Sequence, residues 1–171
     1  LSFIGKAGVN YWTKYDKAYR ADTYFDDSKT VGPATLNVWT ANNTYTTFEA
    51  LATYEKQIKN HTFKLLAGTS VEQSNNKGLE GYRNTFPNNY LYELGPGDKS
   101  TATNDSSLEE YALLSFFGRI NYAWKDRYLL EANLRYDGSS RFADGHRWGL
   151  FPSVSAGWRI SEEDFWKNAA V

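Results

Sequence analysis

The chain has 171 residues, enough for one ordinary domain, and its 19 Lys+Arg against 20 Asp+Glu leave no charge footprint for nucleic acid. Cysteine is absent, so disulfides and thiolate metal sites are excluded, and no run approaches the ~18 apolar residues of a membrane helix. Aromatic content of 17% (13 Tyr, 10 Phe, 6 Trp) fits either the interface girdles of a β-barrel or an aromatic-rich soluble β-module.

The first residues, 1–12, alternate weakly, with Phe3 and Tyr11 as the outer markers. Residues 13–41 are long and polar, with Asp22, Asp26, Asp27, Ser28 and Gly32-Pro33, and read as a loop. In 42–55, Phe48, Ala50, Ala52 and Tyr54 share one face, the period of two expected of a half-buried strand. Residues 56–60 are a short turn. The pattern resumes over 61–73, with Phe63, Leu65, Ala67 and Val71 on one face and Lys64, Ser70 and Glu72 on the other. Residues 74–107 form a second polar segment, broken by Gly78, Gly81, Pro87 and Gly95-Pro96-Gly97, and read as another loop. A strand follows over 108–122, with Leu114, Phe116, Ile120 and Tyr122 opposite Ser115, Arg119 and Asn121. Residues 124–127 are a tight turn.

The stretch 128–160 is the most informative. Tyr128, Leu130, Ala132, Leu134 and Tyr136 point one way, and Leu129, Glu131, Asn133, Arg135 and Asp137 the other. An apolar outer face that begins and ends in aromatics is how a transmembrane β-hairpin is written. A capped helical turn, with Ser161 as N-cap, is expected over 161–167.

Within this stretch lie Asp137-Gly138-Ser139-Ser140-Arg141-Phe142, then Arg147-Trp148-Gly149, then the run from Phe151-Pro152-Ser153 through Gly157-Trp158-Arg159-Ile160 to Ser161-Glu162-Glu163. This series resembles the barrel signature of the SusC/RagA family, TonB-linked outer-membrane nutrient transporters of Gram-negative bacteria. The fold expected is all-β: an antiparallel transmembrane β-barrel segment of about six strands, in a barrel of about 22 strands with a plug inside. Six such strands cannot close, and an open edge in hydrocarbon leaves backbone groups unpaired. Residues 1–171 are therefore expected to be an internal piece of one barrel domain, without plug, TonB box or native start.

The resemblance implies import of oligosaccharides or peptides across the outer membrane, driven by TonB acting on parts outside this chain. It also implies a SusD-like surface lipoprotein as lid, and outer-membrane lipid around the wall. The alternation of long and short connections agrees, since these barrels have short periplasmic turns and longer extracellular loops. By that rule 56–60, 124–127 and 161–167 are periplasmic, and 13–41, 74–107 and 138–147 extracellular.

Tyr82, Arg83, Phe86, Tyr90 and Tyr92 are candidate contacts for cargo or lid, because exposed loop aromatics stack on sugars and anchor partners. The competing reading is that they form the loop's own small core. Arg119, Glu131, Arg135 and Asp137 are expected to face the lumen, either along the solute path or merely paired with one another. His61 and His146 fall at opposite ends of the strands, so no metal is expected. There is no nucleophile elbow, phosphate loop or HExxH helix, so neither catalysis nor a cofactor is expected. The rival function is a soluble β-rich glycan-binding module, which would place Leu130, Leu134, Val154 and Trp158 in a closed core.

Overall fold

The computed structural model describes residues 1–27 and 29–167; Ser28 lies outside them. Six long strands form one antiparallel sheet in the order β1-β4-β5-β6-β7-β8. They are β1 (Ser2–Arg20), β4 (Thr35–Ile58), β5 (His61–Asn84), β6 (Thr103–Trp124), β7 (Tyr128–Ser139) and β8 (Trp148–Trp158). A separate ribbon pairs β2 (Thr23–Asp26) with β3 (Lys29–Val31). Each strand of the main sheet lies beside its nearest predecessor in sequence apart from that ribbon, so every connection is a simple return.

The chain forms two compact units. In the first, which comprises Leu1–Val9, Thr46–Gln73 and the chain from Tyr111 onward, the expected alternation holds. The register of β6, β7 and β8 stacks three rows on one face: Trp124–Tyr128–Trp158, Ile120–Ala132–Val154 and Phe116–Tyr136–Leu150. Leu130, Leu134, Val154 and Trp158 are 47%, 48%, 72% and 52% exposed, where a soluble module would have buried them.

Aromatic rings close both ends of this face. At the short-turn end Trp124, Tyr128 and Trp158 stack in series at 5.3 and 6.3 Å, and His61 continues the row beside Tyr122 and Trp124. At the other end Trp148 stacks on Tyr136 at 4.6 Å and on Phe116 at 6.3 Å. Gly138, directly opposite Trp148, makes that possible: a Cβ there would meet three indole atoms at 2.8–2.9 Å. From Tyr128 to Gly138 is about 34 Å of strand at ~3.4 Å per residue, or about 26 Å along the normal at ~40° tilt, which matches the ~25 Å apolar band of a membrane barrel.

The short turns are 59–60 and 125–127, both entered with left-handed backbone at Lys59 and at Lys125 and Asp126. They are tied to each other and to the end of β8 by Lys125 N–H to Asn60 O (2.7 Å) and Arg159 N–H to Arg127 O (2.8 Å).

The second unit, Asn10–Tyr45 with Ser74–Glu110, departs from the sequence reading. Residues 13–20, 35–41, 74–84 and 103–107 were expected in loops and are strand. A barrel strand needs only ~9–11 residues to cross the membrane. β4 and β5 have 24 each and β6 has 22, so they run well past that length. A strand with no hydrocarbon to face needs no apolar side, so the alternation fades in this unit although its residues are strand. Side-chain pairs across the strands take over, including Asn37 Nδ2 to Glu80 Oε1 at 2.6 Å and an Asn75–Glu110 bond. The true long connection is 85–102, fastened by Thr85 N–H to Ala34 O (2.9 Å) and Asp98 N–H to Asn84 O (3.0 Å). Among the described residues of this unit, Leu36, fully buried, and Ala34 and Ala41 are the buried apolar ones.

Ser161 is not an N-cap either. It lies inside the 3-10 turn Ile160–Glu162, and Glu163 precedes the helical turn α1 (Asp164–Lys167).

Candidate functional site

Two surfaces carry the predicted residues. The first is the polar face of the first unit. Arg119, Glu131, Arg135 and Asp137 all lie on it, because the register sets Arg119 opposite Asn133, Asn121 opposite Glu131, Phe117 opposite Arg135 and Ser115 opposite Asp137. Their charges are matched in pairs. Arg119 Nε donates to Asn133 Oδ1 at 2.7 Å and stands 4.0 Å from Glu131 Oε1. Glu131 also accepts from Asn121 (2.5 Å) and Asn133 (2.8 Å). Arg135 Nε reaches both Asp137 oxygens at 2.7 and 2.8 Å, and its Nη2 donates to the buried Ser115 hydroxyl at 2.9 Å.

Beside these pairs the same face has apolar ground. Phe117 and Leu51 converge over Gly68, where a Cβ would stand 2.6–2.7 Å from them. A groove there is lined by Leu51, Leu66, Phe117, Phe151, Arg119 and Arg135. Such a wall offers hydrogen bonds, matched charge pairs and apolar contact side by side.

The second surface is in the second unit. Here the five expected contact residues divide. Arg83 sits in β5 rather than in a loop, and its Nη1 donates to the carbonyls of Leu94, Gly95 and Gly97 at 3.0, 3.0 and 3.3 Å, holding the connection's far half. Tyr82 is likewise in β5, and its hydroxyl accepts from Asn84. Phe86 and Tyr92 pack edge-on against Tyr19 at 5.8 and 4.8 Å. Tyr90 alone of the five is almost fully solvent-facing, at 84% exposure.

Sequence reasoning did not single out Tyr19, the centre of this small core. Its hydroxyl donates to Asn89 Oδ1 at 3.1 Å; the same Oδ1 accepts from Asp22 N–H (3.0 Å), and Asn89 Nδ2 donates to Asp22 O (2.7 Å). Lys17 adds a 2.5 Å pair with Glu93. A partial signal existed: Tyr11, Tyr15 and Tyr19 share one parity, as a strand running through the supposed loop would require, although a spacing of four also suits one face of a helix. Asp98 ends the connection by capping the 3-10 turn Lys99–Thr101; the Ser100 backbone N–H and hydroxyl, bonded at 2.8 and 2.9 Å, hold its carboxyl below the usual carboxylate range.

The 140–147 connection is organised from within. Arg147 bonds Phe142 O (3.1 Å) and Asp144 (2.9 Å), Gly145 takes a left-handed φ of 82°, and Arg141 lies 4.3 Å over the Tyr111 ring. This fits a structural hairpin end. His61 is spent on the girdle, sharing a 2.8 Å hydrogen bond with Tyr122.

A sheet with an apolar band between two aromatic rows on one face and paired charges on the other is a wall segment of an outer-membrane β-barrel. The family described as TonB dependent receptor-like, beta-barrel, matches residues 2–166. TonB-dependent receptor SusC of Bacteroides thetaiotaomicron is 35% identical over 118 residues, covering 69% of this chain and 11% of the relative. A TonB-dependent receptor of Formosa agariphila is 34% identical over 129 residues, covering 75% of this chain and 13% of the relative. The structure of the RagAB peptide transporter superposes with a TM-score of 0.88 at 23% identity over 98% of this chain and 19% of that one, a likeness of fold. The chain belongs to the TonB-dependent receptor β-barrel family, and its place is the outer membrane. It spans 11–13% of the length of these two curated relatives.

Proposed function

We propose that this chain is part of the wall and outer loops of a transporter that imports nutrients too large for a porin. The single observation that supports this most is the two-faced sheet: lipid-compatible between its girdles, polar and charge-paired on the side that would face a lumen. The short turns 59–60 and 125–127 then lie on the periplasmic side, and 85–102 and 140–147 outside, as is general for such barrels.

In this reading the cargo is an oligosaccharide or a peptide. A SusD-like lipoprotein covers the outer loops, and TonB supplies the driving force through parts outside this chain. Tyr90 is the contact residue for cargo or lid, mounted on the core that Tyr19, Phe86 and Tyr92 build beneath it. Arg119, Glu131, Arg135 and Asp137 line the path or the plug contact. The relatives' names and the charge-paired, partly apolar character of the polar face support this.

The test is deletion of the full-length gene in its host, followed by growth on defined oligosaccharides and peptides as limiting nutrient. Loss of growth on one class, reproduced by dissipating the TonB energy supply, is the expected result. Undiminished growth on every cargo that the host imports through the outer membrane would reject import.

A further inference from the structure

At the short-turn end the chain does not simply leave the sheet after β8. Glu163 fastens it back. One carboxylate oxygen, Oε1, accepts from the Tyr128 hydroxyl at 2.7 Å and from Trp158 Nε1 at 3.1 Å. The other receives Arg127 Nη1 at 2.9 Å, while Arg127 Nη2 reaches Asp164 at 3.3 Å. Tyr128 and Trp158 are register partners on the apolar face. A carboxylate held by both of their polar tips must lie on that side of the sheet, not under the polar side.

The four-residue turn that starts at Asp164 is therefore hung from the outward edge of the girdle. Its next two residues, Phe165 and Trp166, are 61% and 53% exposed. The Glu163 side chain is only 12% exposed and is met by Arg127, while the Asp164 side chain is 87% exposed and stays with water.

We propose that Phe165 and Trp166 form a second aromatic anchor, seated in the headgroup region of the periplasmic leaflet directly below the Trp124–Tyr128–Trp158 row. This rests on the outer-membrane barrel reading and on the short-turn end being periplasmic. Three observations favour lipid over protein as the occupant. The turn of Phe165 and Trp166 follows directly on Glu163, which is fastened to the outward tips of a face already lipid-directed, both rings are exposed, and the pair joins the two ring types that interfaces enrich or accommodate. A large ring with one polar edge is best placed where apolar chain meets water. A fixed hinge such as Glu163 lowers the entropy lost when the rings insert.

The test uses the full-length transporter in a cysteine-free background, reconstituted in phosphatidylethanolamine/phosphatidylglycerol vesicles. Phe165→Cys, Trp166→Cys and, as aqueous reference, Asp164→Cys are labelled with bimane. Nitroxide-bearing lipids with the spin label at headgroup or shallow acyl depth are expected to quench positions 165 and 166, with loss of most of the iodide quenching seen at 164. Iodide quenching at 165 and 166 equal to that at 164 would overturn the anchor. Shielding from both quenchers would also overturn it, by showing that protein covers the pair. A label-free measurement stands beside these: the double substitution Phe165→Ser, Trp166→Ser is expected to lower the urea midpoint in vesicles, and an unchanged midpoint would count against the anchor. Import activity of the unmodified protein is a separate readout, so failure of the anchor leaves the transporter reading intact and the reverse holds equally.

Discussion

Neighbouring residues of β8 give the sharpest contrast the sheet can offer. Val154 lies opposite Ala132, which lies opposite Ile120, in the middle apolar row. At ~3.4 Å per residue and ~40° tilt, Val154 is about 10 Å from the level of Trp158 and about 16 Å from that of Trp148, which puts it near the bilayer midplane. It is 72% exposed on the sheet face, so an arginine there has no protein groove to hide in. The expected cost of Val154→Arg is about 2–4 kcal/mol. Ser153 is one residue away on the polar face, in the groove with Phe151 and Arg135. Ser153→Arg meets water and is expected to cost under about 1 kcal/mol. At ~1.36 kcal/mol per tenfold, Val154→Arg should shift the folded-to-unfolded ratio by roughly 30- to 1000-fold. Urea titration of the full-length transporter in vesicles reads both, provided the slopes are equal. Equal costs, or a larger cost for Ser153→Arg, would refute the assignment of faces.

Other positions test other links. Gly138→Val places a methine against the Trp148 ring and should cost about 1–3 kcal/mol in the same assay; Trp148→Leu in the same chain should recover part of that, since the two share one space. Glu163 is held below the usual carboxylate range by hydrogen bonds from Tyr128 and Trp158 and by the Arg127 guanidinium. A depressed folded-state value means its contribution is complete above the unfolded pKa of ~4.3 and is lost as pH falls through the folded one. Stability measured from pH 7 to pH 3 should therefore fall less steeply in Glu163→Gln than in the parent, from a lower starting value. Tyr90→Ala should weaken capture of cargo or lid while leaving the 85–102 connection as resistant to protease as before. Tyr19→Ala should instead open that connection to cleavage, because it removes the ring on which Phe86 and Tyr92 pack.

The membrane part of the fold was legible because the bilayer imposes a pattern. β7 must present Leu130, Ala132 and Leu134 to hydrocarbon, and the alternate positions then read as polar. The motif around Gly138 and Trp148 was legible as a resemblance, and the structure supplies its reason in an indole lying flat on a glycine. The parts of β1, β4, β5 and β6 in the second unit were not legible. In 74–84 both faces carry Asn and Gly, with Glu80 on one and Lys77 and Arg83 on the other, and no solvent demands an alternation there. The division of the loop residues was hidden for a related reason. Phe86 and Tyr92 differ from Tyr90 only by meeting Tyr19, some seventy positions away and inside a segment read as loop. Arg83 looked like a contact residue, yet three backbone carbonyls without ladder partners recruit it. The charges at 119, 131, 135 and 137 share one face, as their parity along the strands implies, and their pairing follows from register, which a single strand's sequence does not state.

The central claim is that alternate residues of this sheet face lipid and a water-filled interior. A cysteine scan along β8, positions 149–158, in the full-length transporter in intact outer membrane tests it most directly, with a membrane-impermeant maleimide as reagent. The account predicts reaction at 149, 151, 153, 155 and 157 once the interior is open to the reagent, and protection at 150, 152, 154 and 156. Reaction without alternation, or protection at the odd positions and reaction at the even ones, would contradict it.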